Sequence, residues 1–431
     1  MSSAYVLSFF FRVKFLKLVQ VQTFFRHGAR TPLHHVRSPA VQDAFWTPTL
    51  TEDLEHTVYP FKLVEMCSKN IIDFTTVSSL PIPLKLPGGL YTGELIKHGQ
   101  QEAFDLGKRL KCVYIDEKPF LSPNINEEDL YCRSTLIART VKSLVCVVAG
   151  LFSPRDASKV DALTIYVVPL DREYLFPNPA VCSIVDQLAK EGMAECLASR
   201  RHSELKRKLK KILGVKKLYD DFRPTPWDCP IYFVRDDYTS RKRAGYPLPP
   251  GLNDLFPLMD QLSSEELYWE YLGKQRMWEE NIHHVFGHAL RMILCNMNNY
   301  NNIPKFHLYS CHDSTLMLLL YALGCFDGCW PPFAADLILE LYIDEEASSM
   351  HDGDMTHSGP QNSDLHNHYL TPALDALWIR VLYLGKTVPL GCLWKIPYSN
   401  GDRYNAGFVP LHFLYDRWRP SAPALEEVEV A

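Results

Sequence analysis

The chain has no hydrophobic run approaching the length of a membrane span, no internal repeat and no surplus of basic residues. A helical span needs about 20 consecutive apolar residues, so the sequence does not read as a membrane protein. Lack of a repeat sets aside solenoids and propellers. With 45 Lys and Arg against 50 Asp and Glu, the formal charge is -5, which argues against a general nucleic-acid binder. The 12 cysteines run from Cys67 to Cys392 without the density of a disulfide scaffold or the spacing of a zinc module. Most are expected to be buried thiols, with one or two bridges allowed. Met1 to Leu18 holds Arg12, Lys14 and Lys17, no acid, and no secretory pattern of early charge and late small residues. That composition suits a mitochondrial address. A strand begins near Leu16 and leaves little chain for a presequence, so the natural amino terminus is expected to be incomplete or altered here.

At 431 residues, 47% of them hydrophobic, the chain exceeds one core and predicts a main domain with a subdomain. The most informative segment is Arg26-His27-Gly28-Ala29-Arg30-Thr31-Pro32, directly after the mostly apolar run Leu16 to Phe25. Such a run reads as a buried parallel strand, and open α/β sheets bind ligands at the carboxyl ends of strands. Two guanidinium forks beside one imidazole suit an anion with several oxygens. Their field also disfavours imidazolium, which leaves His27 neutral and nucleophilic. Gly28 is expected to let the backbone pass close to the ligand.

Cleaving a phosphate ester needs more cations and an acid for the departing oxygen. Asp129 to Thr135 reads as a second strand, with Ser134 or Thr135 capping a helix from Leu136 to Phe152; Arg133 then sits at a strand end. Phe306 to Cys311 reads as a third strand, followed by His312 and Asp313 and a helix from Ser314 to Leu323. Asp313 alone would be an ordinary helix cap. Beside the other two strand ends, His312 becomes a donor to phosphate oxygen and Asp313 a proton source.

The loop Arg26 to Pro32, the Arg133-Ser134-Thr135 strand end and the late His312-Asp313 pair together resemble the histidine acid phosphatases, a branch of the phosphoglycerate-mutase-like superfamily. The similarity runs from about Leu16 to Gly391 with gaps. It is supported by Gly99, Gln101 and Leu106-Gly107, by Trp330 to Leu337 and by Leu339 to Tyr342, and is strongest toward members acting on lysophosphatidic acid. It implies an α/β fold with a mostly parallel central sheet flanked by helices and a smaller, mainly helical cap. It also implies metal-independent hydrolysis of a phosphate monoester through a phosphohistidine on His27, with Asp313 as acid. Arg26, Arg30, Arg133 and His312 would bind the phosphate, with no cofactor. The substrate would be a lysophospholipid, and the protein a monomer with peripheral contact at a membrane surface.

A mutase-like phosphotransferase and a non-catalytic phosphate or phospholipid binder are the alternatives. Release of free phosphate with no transfer product separates hydrolysis from the first, and a phosphorylation burst separates it from the second. Three departures from the family pattern stand out, of which His288 after Gly287, where a proline is more usual, carries no inference. Leu136 replaces an expected aspartate or asparagine, although Arg139 keeps the basic position one turn later. Beyond Cys392 the paired-cysteine ending is missing.

The expected organisation is an unassigned segment over 1–15, an α/β domain over 16–180 and 300–392, a helical cap over 181–299, and a divergent tail over 393–431. Residues 345–372, rich in Ser, Asp, His, Asn and Gly, are expected to be a disordered insertion. Its His351, His357, His366 and His368 are too irregularly spaced for a metal site. Gly99 to Tyr114 carries Ala103, Leu106, Leu110 and Val113 at helical spacing. Lys206 to Lys217 reads as a basic, solvated helix face, and the Pro-rich aromatic stretch Arg223 to Gly251 as a break between helices. Asp336 to Ile343 and Trp378 to Leu384 are expected to pair antiparallel.

Overall fold

The computed structural model describes residues 16–78, 83–152, 161–218, 229–273, 278–345, 376–394, 396 and 406–418. The expected insertion, with its four histidines, and the segment over 1–15 lie essentially outside these residues.

Strand β1 (Leu16–Arg26) becomes fully buried from Gln20 onward. Its alternation serves two cores, since Val21 and Phe25 face one layer and Phe24 the other. Ten strands form one sheet: β2 (Phe61–Glu65), β3 (Ile71–Ile72), β4 (Leu130–Ser134), β5 (Leu163–Val167), β6 (Phe306–Cys311), β7 (Asp336–Asp344), β8 (Leu377–Tyr383), β9 (Lys386–Thr387) and β10 (Phe408–Pro410) join β1. The order is β10-β8-β7-β1-β6-β4-β5-β2-β3, with β9 on β8. Strands β1, β6, β4, β5 and β2 run parallel, while β7, β8 and β10 extend the sheet antiparallel beyond β1. The expected pairing of β7 with β8 is present.

On the face carrying Val21 and Phe25 lie α1 (Lys97–Lys111) and α2 (Ala138–Phe152). Helix α1 runs into a π turn over Cys112–Glu117, which rotates the apolar stripe so that Tyr114 is buried rather than Val113. The segment after β5 is helical as expected: α3 (Ile184–Ala198), α4 (Arg200–Leu213), α5 (Ile231–Arg243), α6 (Leu252–Leu272) and α7 (Trp278–Asn298). Helix α5 falls inside the stretch read as a break. Leu205, Leu209 and Leu213 of α4, Ile231, Val234 and Tyr238 of α5, and Met259 and Leu262 of α6 make a separate core. Helix α7, expected in the cap, packs on the sheet instead, with Phe286, Leu290 and Ile293 in one cluster with Phe24, Tyr309 and Leu337. Helix α8 (Asp313–Ala322) shares that face.

Part of the tail is also integral. Strand β10 pairs with β8, and α10 (Leu411–Trp418), which follows the short α9 (Leu390–Leu393), buries Leu411, Leu414 and Trp418 against the sheet. All twelve cysteines are free thiols, so neither a terminal disulfide nor any other bridge exists in the structure.

Candidate active site

Three parallel strands end level. Arg26 pairs with Cys311 and Ser134 with Ser310 in register, so the residues that follow β1, β6 and β4 meet at one edge of the sheet. The His27 amide donates to Cys311 O at 3.1 Å and the Thr135 amide to Ser310 O at 3.3 Å. This lateral bonding carries the sheet geometry into the loops.

A cavity of about 330 Å³ opens here, lined by Arg26, His27, Arg30, Arg139, His312 and Asp313. The His27 ring lies 5.7 Å from the His312 ring, and its Nδ1 is 2.9 Å from Gly28 O. A carbonyl can only accept, so Nδ1 carries the proton and the Nε2 lone pair is free. Burial pushes the His27 pKa well below the ordinary imidazole value, and the charges of Arg139, Arg26 and Arg30 push it further. His312 falls to about 3 through burial and Arg139, against a smaller opposing pull from Asp313. Its Nε2 lies 3.1 Å from Thr135 Oγ1.

Arg26 is clamped on three sides: it donates to Pro331 O at 2.7 Å, pairs with Asp313 Oδ2 at 2.7 Å, and lies 4.1 Å over the Phe333 ring. Arg30 reaches across to α5, where it meets Asp236 Oδ1 at 2.7 Å. The second oxygen of Asp236 accepts the amides of Leu33 and His34, which ties the exit of the loop to the same carboxylate. Asp313 Oδ2 also accepts the indole N–H of Trp330 at 2.9 Å. Burial raises the Asp313 pKa, but Arg26, Arg30 and this N–H outweigh it and hold the carboxyl well below its usual range.

Arg133 does not belong to this constellation. It is fully buried, forms a 2.8 Å ion pair with the equally buried Glu173, and stacks 4.3 Å over Tyr174. Glu173 also accepts the amides of Tyr174 and Leu175, so the pair anchors the loop that carries Phe176 and Pro177 to the cavity wall. In its place Arg139 lines the cavity beside Arg26 and Arg30. Helix α2 starts at Ala138, later than a cap at Ser134 or Thr135 would place it, and its first turn projects Arg139 inward. Burial and the repulsion of Arg30 lower the Arg139 pKa to about 9, so the side chain remains a cation in acid and at neutrality.

Gly28 is also corrected. A Cβ there would lie 2.1 Å from Gly99 O, and one on Gly99 would lie 2.1 Å from Ala29 O. Both glycines serve the close approach of the loop to the start of α1, not to a ligand. Arg235, Asp236 and Trp330 also line the cavity, and the sequence does not mark them: Arg235 and Asp236 lie on a helix without a motif, and Trp330 carries only a family similarity.

Outside the cavity, Cys196, His202 and Glu266 converge with ligand atoms within 4.8 Å of one another. His202 Nε2 lies 3.3 Å from Leu262 O and Nδ1 lies 2.8 Å from Ser199 Oγ. The carbonyl requires a proton on Nε2 and the serine then donates to Nδ1, so His202 keeps no free lone pair for a metal. Among the described residues no helix is long and apolar enough to cross a membrane.

The histidine phosphatase superfamily (branch 2) model matches residues 17–352. Lysophosphatidic acid phosphatase type 6 of Homo sapiens is 30% identical over 334 residues, covering 76% of this chain and 74% of that protein. Lysosomal acid phosphatase of Bos taurus is 25% identical, with 80% of this chain and 77% of the relative covered. Among solved structures, apo Hafnia alvei phytase shares the fold at a TM-score of 0.57 and 12% identity, over 95% of this chain and 98% of that one. The level strand ends and the cationic cavity thus sit in a chain that belongs to branch 2 of the histidine phosphatase superfamily, and it is a phosphatase of the histidine acid phosphatase type.

Proposed function

We propose that the protein hydrolyses lysophosphatidic acid to monoacylglycerol and phosphate through a phosphohistidine on His27. The observation that carries this reading is the tautomer of His27: Nδ1 is committed to Gly28 O, so Nε2 is left as a nucleophile in a cavity lined by Arg26, Arg30 and Arg139. His27 Nε2 forms a bond to phosphorus as the bond to the leaving alcohol breaks, and Asp313 gives that oxygen its proton. Water then attacks phosphorus as the bond to His27 Nε2 breaks, passes a proton to Asp313, and leaves free phosphate and the restored imidazole. The guanidinium groups and His312 hold the equatorial oxygens, and no step is routed through a metal.

Asp313 is ionised in the free protein, which fits an acid phosphatase. The second ionisation of a phosphate ester lies near pH 6, so in acid the substrate enters as a monoanion carrying a proton. Its negative charge competes for Arg26, weakens the hold on Asp313 and favours transfer of that proton to the carboxylate.

Support for the lipid substrate comes from the apolar part of the lining, Leu33, Ile137, Phe176, Tyr232, Phe233 and Leu267. An acyl glycerol leaving group gains from apolar contact there, while glycerol does not. Hydrolysis of a lysophosphatidate series and of glycerol 3-phosphate tests this. The reading expects kcat/KM to rise with acyl length; equal values across the series would remove the lipid assignment.

A further inference from the structure

Asp313 Oδ2 accepts from Arg26 and from the Trp330 indole, whereas among the described residues Oδ1 accepts only the neighbouring Ser314 amide, at 2.9 Å. An ionised carboxylate oxygen offers two lone pairs. Those on Oδ2 are taken, so a proton has its open position on Oδ1.

Trp330 is itself held by α5 and α6. The Arg235 guanidinium lies 4.5 Å over the indole and is fixed by Asp260 Oδ1 at 2.6 to 2.7 Å. The other oxygen of Asp260 accepts the Trp330 amide at 3.2 Å. Ring and backbone of one tryptophan are therefore tied to a single ion pair between two helices of the cap. Leu267 of α6 and Met317 of α8 pack in one cluster with the ring.

We propose that Trp330 is a positioning residue for the proton donor: its N–H, fixed by the Arg235–Asp260 pair, occupies Asp313 Oδ2 and directs the transferable proton to Oδ1. This rests on the reading of Asp313 as the acid. The charged and titratable groups facing Asp313 are Arg26 at the end of β1, Arg30 beyond it, Arg139 of α2, His312 just before α8, Arg235 of α5 and Tyr271 of α6. All but Tyr271 and neutral His312 are cations that remain in Trp330→Phe, so a change in that variant reports the lost N–H.

The readout is the single-turnover rate of phosphohistidine formation against pH, with an alkyl phosphate and with 4-nitrophenyl phosphate. The alkyl ester needs a proton on its leaving oxygen and the nitrophenyl ester depends on it far less. Removing a donor from the carboxylate favours its protonated form, so the alkaline limb for the alkyl ester moves to higher pH in Trp330→Phe. The freed Oδ2 also takes up the proton in the wrong place, and the ratio of alkyl to nitrophenyl rates falls at least about fivefold. Arg235→Lys keeps the charge but not the planar stack, and lowers the same ratio; it decides the question if Trp330→Phe fails to fold.

An unmoved limb with both esters slowed equally means that Trp330 only fills space, and overturns the proposal. Asp313→Asn separates the two levels of argument. If it collapses the alkyl rate selectively while Trp330→Phe does not, only the positioning role falls. If it leaves the ratio intact, Asp313 is not the acid and both readings fall together.

Discussion

Substituting Arg139 by Met tests which of two arginines, six positions apart, grips the phosphate. Arg139 lines the cavity beside His27, and Arg133 is sealed in a pair with Glu173. A hydrogen bond to a charged group contributes about 1.5 to 3 kcal/mol, and each 1.4 kcal/mol is about a factor of ten, so Arg139→Met is expected to weaken competitive inhibition by inorganic phosphate about 10- to 150-fold. A second effect comes with it. Arg139 is the foremost charge that lowers the His27 pKa, after burial. Removing it raises that pKa, so protonation silences the nucleophile at a higher pH and the acid limb of kcat/KM moves upward. Arg133→Met predicts the opposite pattern. It strands the Glu173 carboxylate in the interior and destabilises the fold by about 3 to 5 kcal/mol, with phosphate inhibition of the folded enzyme near wild type. The assays are phosphate inhibition and the pH profile with 4-nitrophenyl phosphate, beside urea denaturation. Loss of phosphate affinity in Arg133→Met with none in Arg139→Met would refute the reasoning.

Two further substitutions probe the loop. Arg30→Lys keeps the charge but cannot hold Asp236 and a phosphate oxygen together as a fork; kcat/KM is expected to fall at least about tenfold, and a fall of less than twofold would be inconsistent with the geometry. Gly28→Ala places a methyl 2.1 Å from the Gly99 carbonyl oxygen, where only backbone can yield. A loss of about 3 kcal/mol or more in urea denaturation is expected, and a neutral result would show that loop and helix do not approach so closely.

Much of this site is legible in the sequence because it is local. Arg26 ends one buried strand and His27 and Arg30 follow it, His312 and Asp313 follow another, and the two strands are neighbours in register. The choice between Arg133 and Arg139 is not local. It depends on a buried acid 40 residues away, Glu173, and on the helical phase set by a start at Ala138. Gly28 announces a close approach but not its partner, since Gly99 arrives from another element. Arg235 and Asp236 lie side by side on α5, and their value comes from tertiary partners, Trp330 and Arg30. The tail was unreadable for a related reason: Phe408 to Pro410 make a strand only because β8 presents an edge.

The most direct test of the central claim is rapid quenching of the protein with a labelled phosphate monoester at acidic pH, followed by mapping of the labelled peptide. An acid-labile, base-stable phosphoryl group is expected on His27, formed and lost at rates compatible with turnover and absent from His27→Ala. Steady hydrolysis with the label on another residue, or with unchanged turnover in His27→Ala, would contradict it.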